Sequence, residues 1–369
     1  MPLAGRAIAA AIGAVLVLTA ARSVIGTVIV PRPTHSWLTG WVDKIVNFTY
    51  REITARIHDH KRVDRVLAGM PATILLGQLV MWVVIFYIGF SLLLWPLVPG
   101  GIGLAFSEAG PAVFGPNDSL GPGERTLADL AAIAALVTVT LQIAYLPTLY
   151  SAFNRRETDV SLLNARGGVP SWGPELLART HYALGSGAST IDTLPDLYAQ
   201  WERWASDVAE SHTTYLPLVR FRSPRPYSSW VTALLAVLDS AALFLALSPK
   251  AAPVVPARLC LRSGFICFDE VARAMGLAVP DEPDPSAGIS LTYDEFLAAV
   301  ERMRKVDFPI ERDPEDAWPD FVGWRVNYEH SAYAIAYALD VVAALWSGPR
   351  PRPRPAIPPI RPPEGKPPK

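Results

Sequence analysis

The sequence has little charge for its length. Charged residues make up 18% of its 369 residues, whereas an average soluble domain is about a quarter charged. The hydrophobic share is 51% and the formal net charge is −1, and no basic cluster is interleaved with aromatic residues as a nucleic-acid-binding face requires. These deficits argue against a nucleic-acid partner and indicate sequence embedded in a lipid bilayer.

Cysteine is also scarce, and the common catalytic motifs are missing. Cys260 and Cys267 are too few for a disulfide framework, and their spacing matches no zinc or redox motif. We therefore predict two buried thiols, no metal and no cofactor. The histidines of residues 58–60 (His-Asp-His) point in different directions on a helix, which disfavours a metal site. No phosphate-binding loop, nucleophile elbow or dinucleotide fingerprint is present, so no enzymatic activity is expected.

Long uncharged segments are the strongest signal that the sequence does contain. Residues 71–98 have no charged side chain and give about 40 Å of helix, more than the roughly 30 Å hydrocarbon core of a bilayer. Residues 130–150 are likewise uncharged. Residues 7–30 are interrupted only by Arg22, and we interpret them as a retained first span, with a signal peptide as the alternative. The sequence thus predicts three transmembrane helices.

The basic residues predict the orientation of these spans. Most lie between the first two spans and after the third, whereas residues 98–127 contain only Arg125. The sequence NRRE at 154–157 is expected to be a basic anchor at the membrane surface. Under the positive-inside rule the N-terminus is outside and the C-terminus is cytoplasmic. Arginine greatly outnumbers lysine, and alanine and proline are abundant, which is typical of a GC-rich bacterial genome. We therefore expect a multi-pass protein of the bacterial cell (inner) membrane.

Residues 37–57 are predicted to form an amphipathic helix. Apolar residues recur at intervals of three to five, and basic residues lie elsewhere on the helical wheel. Such a helix either lies on the inner leaflet or packs beneath the spans. The apolar positions are Trp37, Trp41, Ile45, Phe48 and Ile53.

Beyond residue 153 the charges return, and the pattern predicts an α-helical cytoplasmic domain. Residues 230–247 are strongly apolar, but Asp239 in their middle would cost about 3 kcal/mol in a bilayer. We interpret them as a buried central helix, with a fourth span as the alternative. Other helices are predicted at 192–212, 268–275, 293–305 and 324–346. Thr292 is the expected cap of the helix at 293–305. One face of the helix at 192–212 is formed by Leu197, Trp201, Trp204 and Val208.

The chain is therefore predicted to be all-α, with about three transmembrane helices followed by a helical cytoplasmic domain. From residue 348 the sequence is rich in proline and arginine, and it is predicted to be a disordered tail. The predicted domains are 1–65 (first span and amphipathic helix), 66–153 (hairpin of two spans), 154–347 (cytoplasmic domain) and 348–369 (tail).

The hairpin has the order span, loop, span, and its loop holds a helix-compatible stretch followed by a glycine- and proline-rich turn. A pore loop needs this order, because a short helix directs its C-terminal end at a cation and the following carbonyls replace water. We take Pro111 as an interruption or early end of the short helix. The pore-loop candidates are Phe114, Gly115, Asn117 and Asp118, and the pore-helix and gate candidates are Ser107, Glu108, Gln142 and Pro147.

Five short motifs carry a resemblance to a known family. They are FSEAG at 106–110, LQIAYLPTLY at 141–150, AFNRRE at 152–157, WGPELLAR at 172–179 and GWRVNYE at 323–329. In these motifs the chain resembles actinobacterial membrane proteins related to the two-transmembrane pore domain of potassium channels. The resemblance implies a homo-oligomer, with a tetramer as the expected state, and a monovalent cation as the transported ion.

The chain departs from this family at the selectivity filter. Potassium filters read T-x-G-Y-G or T-x-G-F-G, because stacked carbonyl rings require glycines. Residues 113–117 read VFGPN instead, so the alternative function is a membrane-anchored scaffold without transport activity. Two gate candidates also have two interpretations. Pro147 is either a hinge or the exit of a span from the bilayer, and Gln142 faces either a pore or a neighbouring helix.

Overall fold

The fold consists of α-helices that form two compact units. The structure is a computed structural model that describes residues 3–30, 36–98, 101–114, 121–181, 190–280, 284 and 288–360. Unit 1 comprises Met1–Arg56 and Gly69–Ser151, and unit 2 comprises Ile57–Ala68 and Ala152–Lys369. The described residues contain no strand, only an isolated parallel bridge between Ala344 and Ile357.

Unit 1 is built from long apolar helices. The helices are α1 (Leu3–Val28), α2 (Trp37–Ala55), α4 (Met70–Leu94), α5 (Ile102–Phe114) and α6 (Pro122–Gly167), whose residues from Ala152 onward belong to unit 2. Helices α1 and α4 pack closely because glycines meet at their contact: a Cβ on Gly13 would lie 2.6 Å from the Gly89 carbonyl oxygen. Small residues allow this approach between apolar helices.

A polar contact fixes the same pair of helices. The fully buried Trp82 donates its Nε1–H to Ser23 Oγ at 3.0 Å. Around it lies a small core of aromatic and alanine side chains: Ala20, Val24, Phe86, Phe90, Ala131 and Ala135. Large apolar side chains also cover the outside of unit 1, on α1, α4 and α6. An apolar exterior of this kind is typical of helices that face lipid.

Unit 2 contains the other helices and three short 3-10 turns. The helices are α3 (His60–Ala68), α7 (Gly173–Ala178), α8 (Leu194–Thr214), α9 (Trp230–Leu247), α10 (Val254–Ala274), α11 (Tyr293–Arg304), α12 (Pro314–Arg325) and α13 (Glu329–Ala338), and the turns are Arg179–His181, Thr190–Thr193 and Leu216–Arg220. Helix α9 lies at the centre, packed against α7, α8, α10, α12 and α13. Every residue of α9 except Leu245 is buried.

Among the described residues, four helical segments are long and apolar enough to cross a membrane: Ala4–Val28, His60–Leu94, Pro122–Gly167 and Trp230–Leu247. Their surroundings differ. In the most apolar part of the first three, 28%, 39% and 28% of the residues are buried, whereas in the fourth every residue except the partly buried Leu245 is buried. Because α9 has no surface left for lipid, the structure supports its interpretation as the central helix of a folded domain.

Two local predictions are confirmed in unit 2. Thr292 caps α11 as expected: its Oγ1 accepts from the Glu295 amide at 3.3 Å, and the Glu295 carboxylate accepts from the Thr292 amide at 2.9 Å. The reciprocal pair satisfies two amides that a helix N-terminus leaves open. Cys260 and Cys267 are free and fully buried.

The prediction of one helix over 324–346 is wrong. Helix α12 ends at Arg325, α13 begins at Glu329, and the chain leaves the helical conformation after Ala338. Asp340 and Trp346 adopt positive φ angles of 45° and 61°. The helix breaks where Arg325 and Glu329 bind each other and the interior of unit 2, so tertiary contacts override an apolar pattern that is helical by itself.

The prediction of a disordered tail from residue 348 is also wrong as far as Ile360. Ile357 donates its amide to Ala343 O at 2.7 Å, and Ile360 donates to Val169 O at 3.0 Å. The buried Arg350 guanidinium donates to Ser347 Oγ and to several main-chain carbonyls, those of Val341, Val342, Ser347, Gly348 and Pro349. Burial lowers the pKa of Arg350 to about 10. Residues 361–369 lie outside the described part of the chain.

Candidate functional site

The hairpin of α4 and α6 is the first candidate site, and the short helix α5 is packed against α4. Tyr87 donates its hydroxyl to the Phe106 carbonyl at 3.0 Å, and the two rings meet edge to face with centroids 5.6 Å apart. Ala105 and Ala109 pack against Leu94 in a small buried cluster. The small side chains of α5 allow the close approach, and the Tyr87 hydrogen bond fixes its position along α4.

Helix α5 extends further than predicted. It continues through Pro111 and ends at Phe114, so this proline neither interrupts the helix nor ends it early. The Ser107 side chain is exposed and donates to Leu104 O at 2.9 Å within its own helix, and Glu108 is half-buried. Of the pore-loop candidates, Gly115, Asn117 and Asp118 lie outside the described residues, and Phe114 is described only in its backbone.

Gln142 faces a neighbouring helix. Its side chain is buried, and Nε2 lies 3.5 Å from the Leu75 carbonyl oxygen of α4. Within the described residues, the Oε1 atom has no hydrogen-bond partner. The neighbouring Thr138 is also buried and donates to Ala134 O at 2.7 Å in its own helix. Gln142 and Thr138 are therefore directed toward protein.

Pro147 does not end its helix. It is exposed, and the chain remains helical beyond it to Gly167. A proline inside a helix removes one main-chain hydrogen bond, which is a common cause of local bending. Pro147 therefore lies within a continuous helix, and both interpretations, the hinge and the exit from the bilayer, stay predictions.

A buried arginine cluster in unit 2 was not predicted. Arg325 is fully buried and pairs with Asp239 and with Glu329, the latter at 2.6 Å. It also donates to Tyr333 Oη at 2.8 Å, and Tyr328 donates its hydroxyl to Asp239 at 2.9 Å. The charge of Asp239, which would make membrane insertion of this helix costly, is thus balanced by Arg325, which lies 86 residues later in the chain.

The charges of this cluster determine the protonation states of Arg325 and Tyr328. Burial alone would disfavour the Arg325 cation, but Asp239 raises its pKa well above the usual value. Burial raises the pKa of Tyr328, and the Asp239 carboxylate raises it further. The cluster therefore holds a charged arginine and a neutral tyrosine, which fits an internal crosslink between α9, α12 and α13.

A second buried arginine corrects another expectation. The sequence pattern NRRE at 154–157 is typical of a basic anchor at the membrane surface, but Arg156 is fully buried inside unit 2. It donates to Glu157 at 2.7 Å, to His212 Nε2 at 2.9 Å and to Phe221 O at 2.7 Å. Only the adjacent Arg155 is exposed, and it pairs with Asp207 at 3.1 Å.

His212 must accept the hydrogen bond from Arg156. A guanidinium has no acceptor, so the Nε2 atom of the imidazole carries the lone pair and the Nδ1 atom carries the proton. Burial lowers the pKa of His212 well below the usual value, and the Arg156 charge lowers it further. His212 is therefore neutral in the folded protein. Protonation would place two cations in direct contact.

Metal binding or substrate binding by unit 2 would require a suitable group of side chains or a suitable groove. In the part of the chain that the structure describes, no group of three or more His, Cys, Asp or Glu residues could hold a metal ion. An open groove of about 450 Å³ is lined by charged and polar side chains, among them Asp159, Gln200 and Arg203. Its openness and mixed charge fit a solvated surface better than an enclosed substrate pocket.

The sequence motifs contain part of these clusters. Arg325, Tyr328 and Glu329 lie in the motif GWRVNYE, and Glu175 and Arg179 lie in WGPELLAR. Glu175 is buried and accepts from Arg179 at 3.1 Å and from Arg302 at 2.8 Å. The charged Asp239 inside the otherwise uncharged helix α9 is a sequence signal that could have indicated a buried pair.

Comparison with known proteins gives no relative. No protein-family model, no curated protein and no solved structure matches the chain. What the helices define is a class: an all-helical protein with several helices long and apolar enough to cross a membrane. The resemblance to the pore domain of potassium channels stays a prediction.

Proposed function

We propose that the protein is a multi-pass protein of the bacterial cell membrane whose α1, α4 and α6 anchor a folded cytoplasmic domain, unit 2. In this proposal the function of the protein is carried by unit 2, which binds partners at the membrane surface. The observation that carries the proposal is the contrast in burial between the four apolar segments. In the first three, most residues are not buried, whereas the fourth is enclosed by other helices, so unit 2 has its own hydrophobic core.

The directions of the side chains on α6 favour an anchor over a pore wall. Its exposed positions include the apolar Leu130, Ile133 and Leu136, whereas Gln142 and Thr138 are buried. A helix with this distribution directs these two polar side chains toward protein and presents apolar side chains to lipid. The asymmetric placement of basic residues supports the cytoplasmic location of unit 2.

Topology is tested with a tag on intact cells. A C-terminal epitope tag should react with antibody only after the membrane is permeabilised, and the protein should sediment with membranes that have been washed at high pH. Labelling of the tag on intact cells, or release of the protein by the alkaline wash, would contradict the proposal.

A cation-conducting pore is the second candidate, because one observation favours it specifically. The short helix α5 is packed against α4. Along the chain it lies between the apolar helices α4 and α6, and a pore domain has the same order of elements. A single hairpin encloses no pore, so conduction requires several copies around one axis.

Flux measurements separate the two candidates. The purified chain is reconstituted into liposomes loaded with potassium, and cation efflux is compared with that of empty vesicles. An anchored scaffold predicts no efflux above the empty vesicles. Efflux that is reduced when Phe114 is changed to alanine, with the exposed Ile133→Ala variant as a control, would establish the pore instead.

A further inference from the structure

The outward face of α2 is an apolar surface that its own unit does not cover. Trp37, Trp41, Ile45 and Phe48 are 65%, 59%, 60% and 67% exposed, and they follow one another at intervals of four, four and three residues. These intervals place them on one side of a helix. We call these four side chains the α2 stripe. Exposed apolar surface of this extent normally marks a contact with a partner or with lipid.

The opposite face of α2 is fixed on α4. Leu38, Val46 and Thr54 are buried, and Tyr50 and Thr73 share a hydrogen bond of 2.7 Å between their hydroxyl oxygens. Gly77 of α4 lies close to Val42 of α2, because a Cβ added to Gly77 would be only 3.0 Å from Val42 Cγ1. The α2 stripe therefore points away from the helix that holds α2 in place.

The contacts also show that α2 crosses α4 obliquely. Its N-terminal end is beside the middle of α4, because Ser36 Oγ lies 2.7 Å from Ser23 Oγ, which accepts from Trp82. Its C-terminal half lies beside Thr73. From residue 36 to residue 50, α2 is about 21 Å long. The residues of α4 beside these two positions, Trp82 and Thr73, are nine residues or about 14 Å apart along the axis of α4, so the two helices are not parallel.

We infer that α2 is an oblique interfacial helix whose α2 stripe is immersed in the phospholipid leaflet, with its N-terminal end deeper than its C-terminal end. Exposed apolar side chains also lie near the points where α2 contacts α1 and α4: Ile25 is two residues after Ser23, and Leu76 precedes Gly77. The same lipid would therefore cover all three helices. Tryptophans are the side chains that membrane interfaces favour.

One basic residue fits the same placement. Lys44 is exposed, and its Nζ lies 5.8 Å from the centre of the Trp41 ring. A long lysine side chain keeps its stem on apolar surface while its charge reaches the head groups. The alternatives to lipid are that a second copy of the chain covers the α2 stripe or that bulk water contacts it, and the experiment distinguishes all three.

The test uses spin labels on the full chain reconstituted in phosphatidylcholine and phosphatidylglycerol vesicles. Labels are attached to Trp37→Cys, Ile45→Cys and Phe48→Cys. Because the native Cys260 and Cys267 are 0% exposed, the labelled unaltered chain gives a low background. Power saturation compares collisions with oxygen, which enters lipid, and with a water-soluble nickel chelate.

Two reference positions keep this inference separate from the proposed membrane location on which it rests. Leu18→Cys, on the exposed face of α1, reports whether the spans are in lipid. Arg62→Cys, at a side chain 77% exposed, reports water. With Leu18 in lipid, an aqueous signal at all three α2 positions would overturn the inference alone, and an aqueous signal at Leu18 would overturn both.

We expect the three α2 labels to be at least threefold more accessible to oxygen than to nickel, with the label at position 37 deeper than that at position 48. Equal depth at the two ends would overturn the oblique geometry. Low accessibility to both reagents together with dipolar broadening would overturn lipid as the occupant and assign the α2 stripe to contact between two copies.

Discussion

Units 1 and 2 both contain strongly apolar helices but place their apolar side chains differently. Unit 1 leaves many of them on its outside, and its helices α1 and α4 contact each other through glycines and single hydrogen bonds, as at Gly13 and Trp82. Unit 2 encloses its most apolar helix, α9, and introduces charged pairs around it. The comparison teaches that mean hydropathy alone does not identify a span, because α9 and α1 reach the same value of 2.1.

The largest expected effect is the loss of the charge that balances Asp239 in unit 2. Arg325→Leu leaves two buried carboxylates without their cation, which typically destabilises a domain by about 3–5 kcal/mol. The midpoint of thermal unfolding is followed with a thiol-reactive fluorescent dye, since Cys260 and Cys267 become reactive only when unit 2 opens. The exposed Arg262→Leu is the control and should change stability by less than about 0.5 kcal/mol.

A double variant sharpens this result. Asp239→Leu combined with Arg325→Leu leaves one buried carboxylate, Glu329, without its cation instead of two, so the double variant should be more stable than Arg325→Leu alone. If the double variant is less stable than Arg325→Leu, the cluster acts through packing and not through charge balance.

Unit 1 is expected to be sensitive to size where unit 2 is sensitive to charge. Gly13→Ala places a methyl group 2.6 Å from the Gly89 carbonyl oxygen, so α1 and α4 must separate at a cost of about 1–3 kcal/mol. The measurement is the temperature at which half of the detergent-solubilised protein remains monodisperse. In the matched variant Gly40→Ala the new methyl group meets no atom within 4 Å. Equal loss in both variants would refute tight packing at Gly13.

The buried histidine makes the stability of unit 2 depend on pH. The pKa of His212 is lowered in the folded state, so below about pH 6.5 the unfolded chain binds a proton that the folded chain does not. This group should therefore reduce stability by up to about 1.4 kcal/mol per pH unit as the pH falls. Guanidinium unfolding followed by tryptophan fluorescence at pH 7, 6 and 5.5 measures it.

The amide in His212→Gln can accept the bond from Arg156 without titrating. This variant should show a shallower dependence of stability on pH than the unaltered chain. His330→Gln, at an exposed position, should retain the original slope. A slope that is unchanged in His212→Gln would assign the pH dependence to other groups.

The smallest predicted effect concerns the hydrogen bond between α4 and α5. Tyr87→Phe removes the donor to Phe106 O, which should weaken the attachment of α5 by about 1 kcal/mol. Amide hydrogen exchange over residues 102–109 should become about fivefold faster. Tyr337→Phe, at an exposed position in α13, is the control. Unchanged exchange in Tyr87→Phe would show that packing of Ala105 and Ala109 holds α5 without this bond.

The parts of the fold that local pattern determines could be predicted from the sequence. The uncharged segments give the apolar helices of unit 1, and Thr292 with Glu295 gives the start of α11, because both signals lie within a few residues. The side of α8 formed by Leu197, Trp201, Trp204 and Val208 is also buried as its spacing indicates.

Features set by distant partners could not be predicted in this way. The break between α12 and α13 depends on Asp239, which lies 86 residues before Arg325. The burial of Arg156 depends on the carbonyls of Leu218 and Phe221. A basic residue next to a span has the same sequence pattern whether it binds head groups or main-chain carbonyls.

The candidate site is predicted less completely than the fold. The alternation of span, short helix and span is a local signal, and the structure contains α5 where the pattern places it. Gln142 is ambiguous in sequence because a polar residue in a span can face either side. Its direction is decided by the Leu75 carbonyl of another helix.

The anchorage of Arg350 determines where this protein can be shortened. Main-chain carbonyls and one serine hydroxyl surround its guanidinium, whereas the Asp340 carboxylate pairs with Arg354 at 3.2 Å. A truncation before residue 350 would remove the donors that Arg350 supplies to these oxygens, whereas a fusion attached after Ile360 would leave Arg350 and its partners in place. An expression boundary chosen by proline content alone would therefore cut away a structural part of the domain.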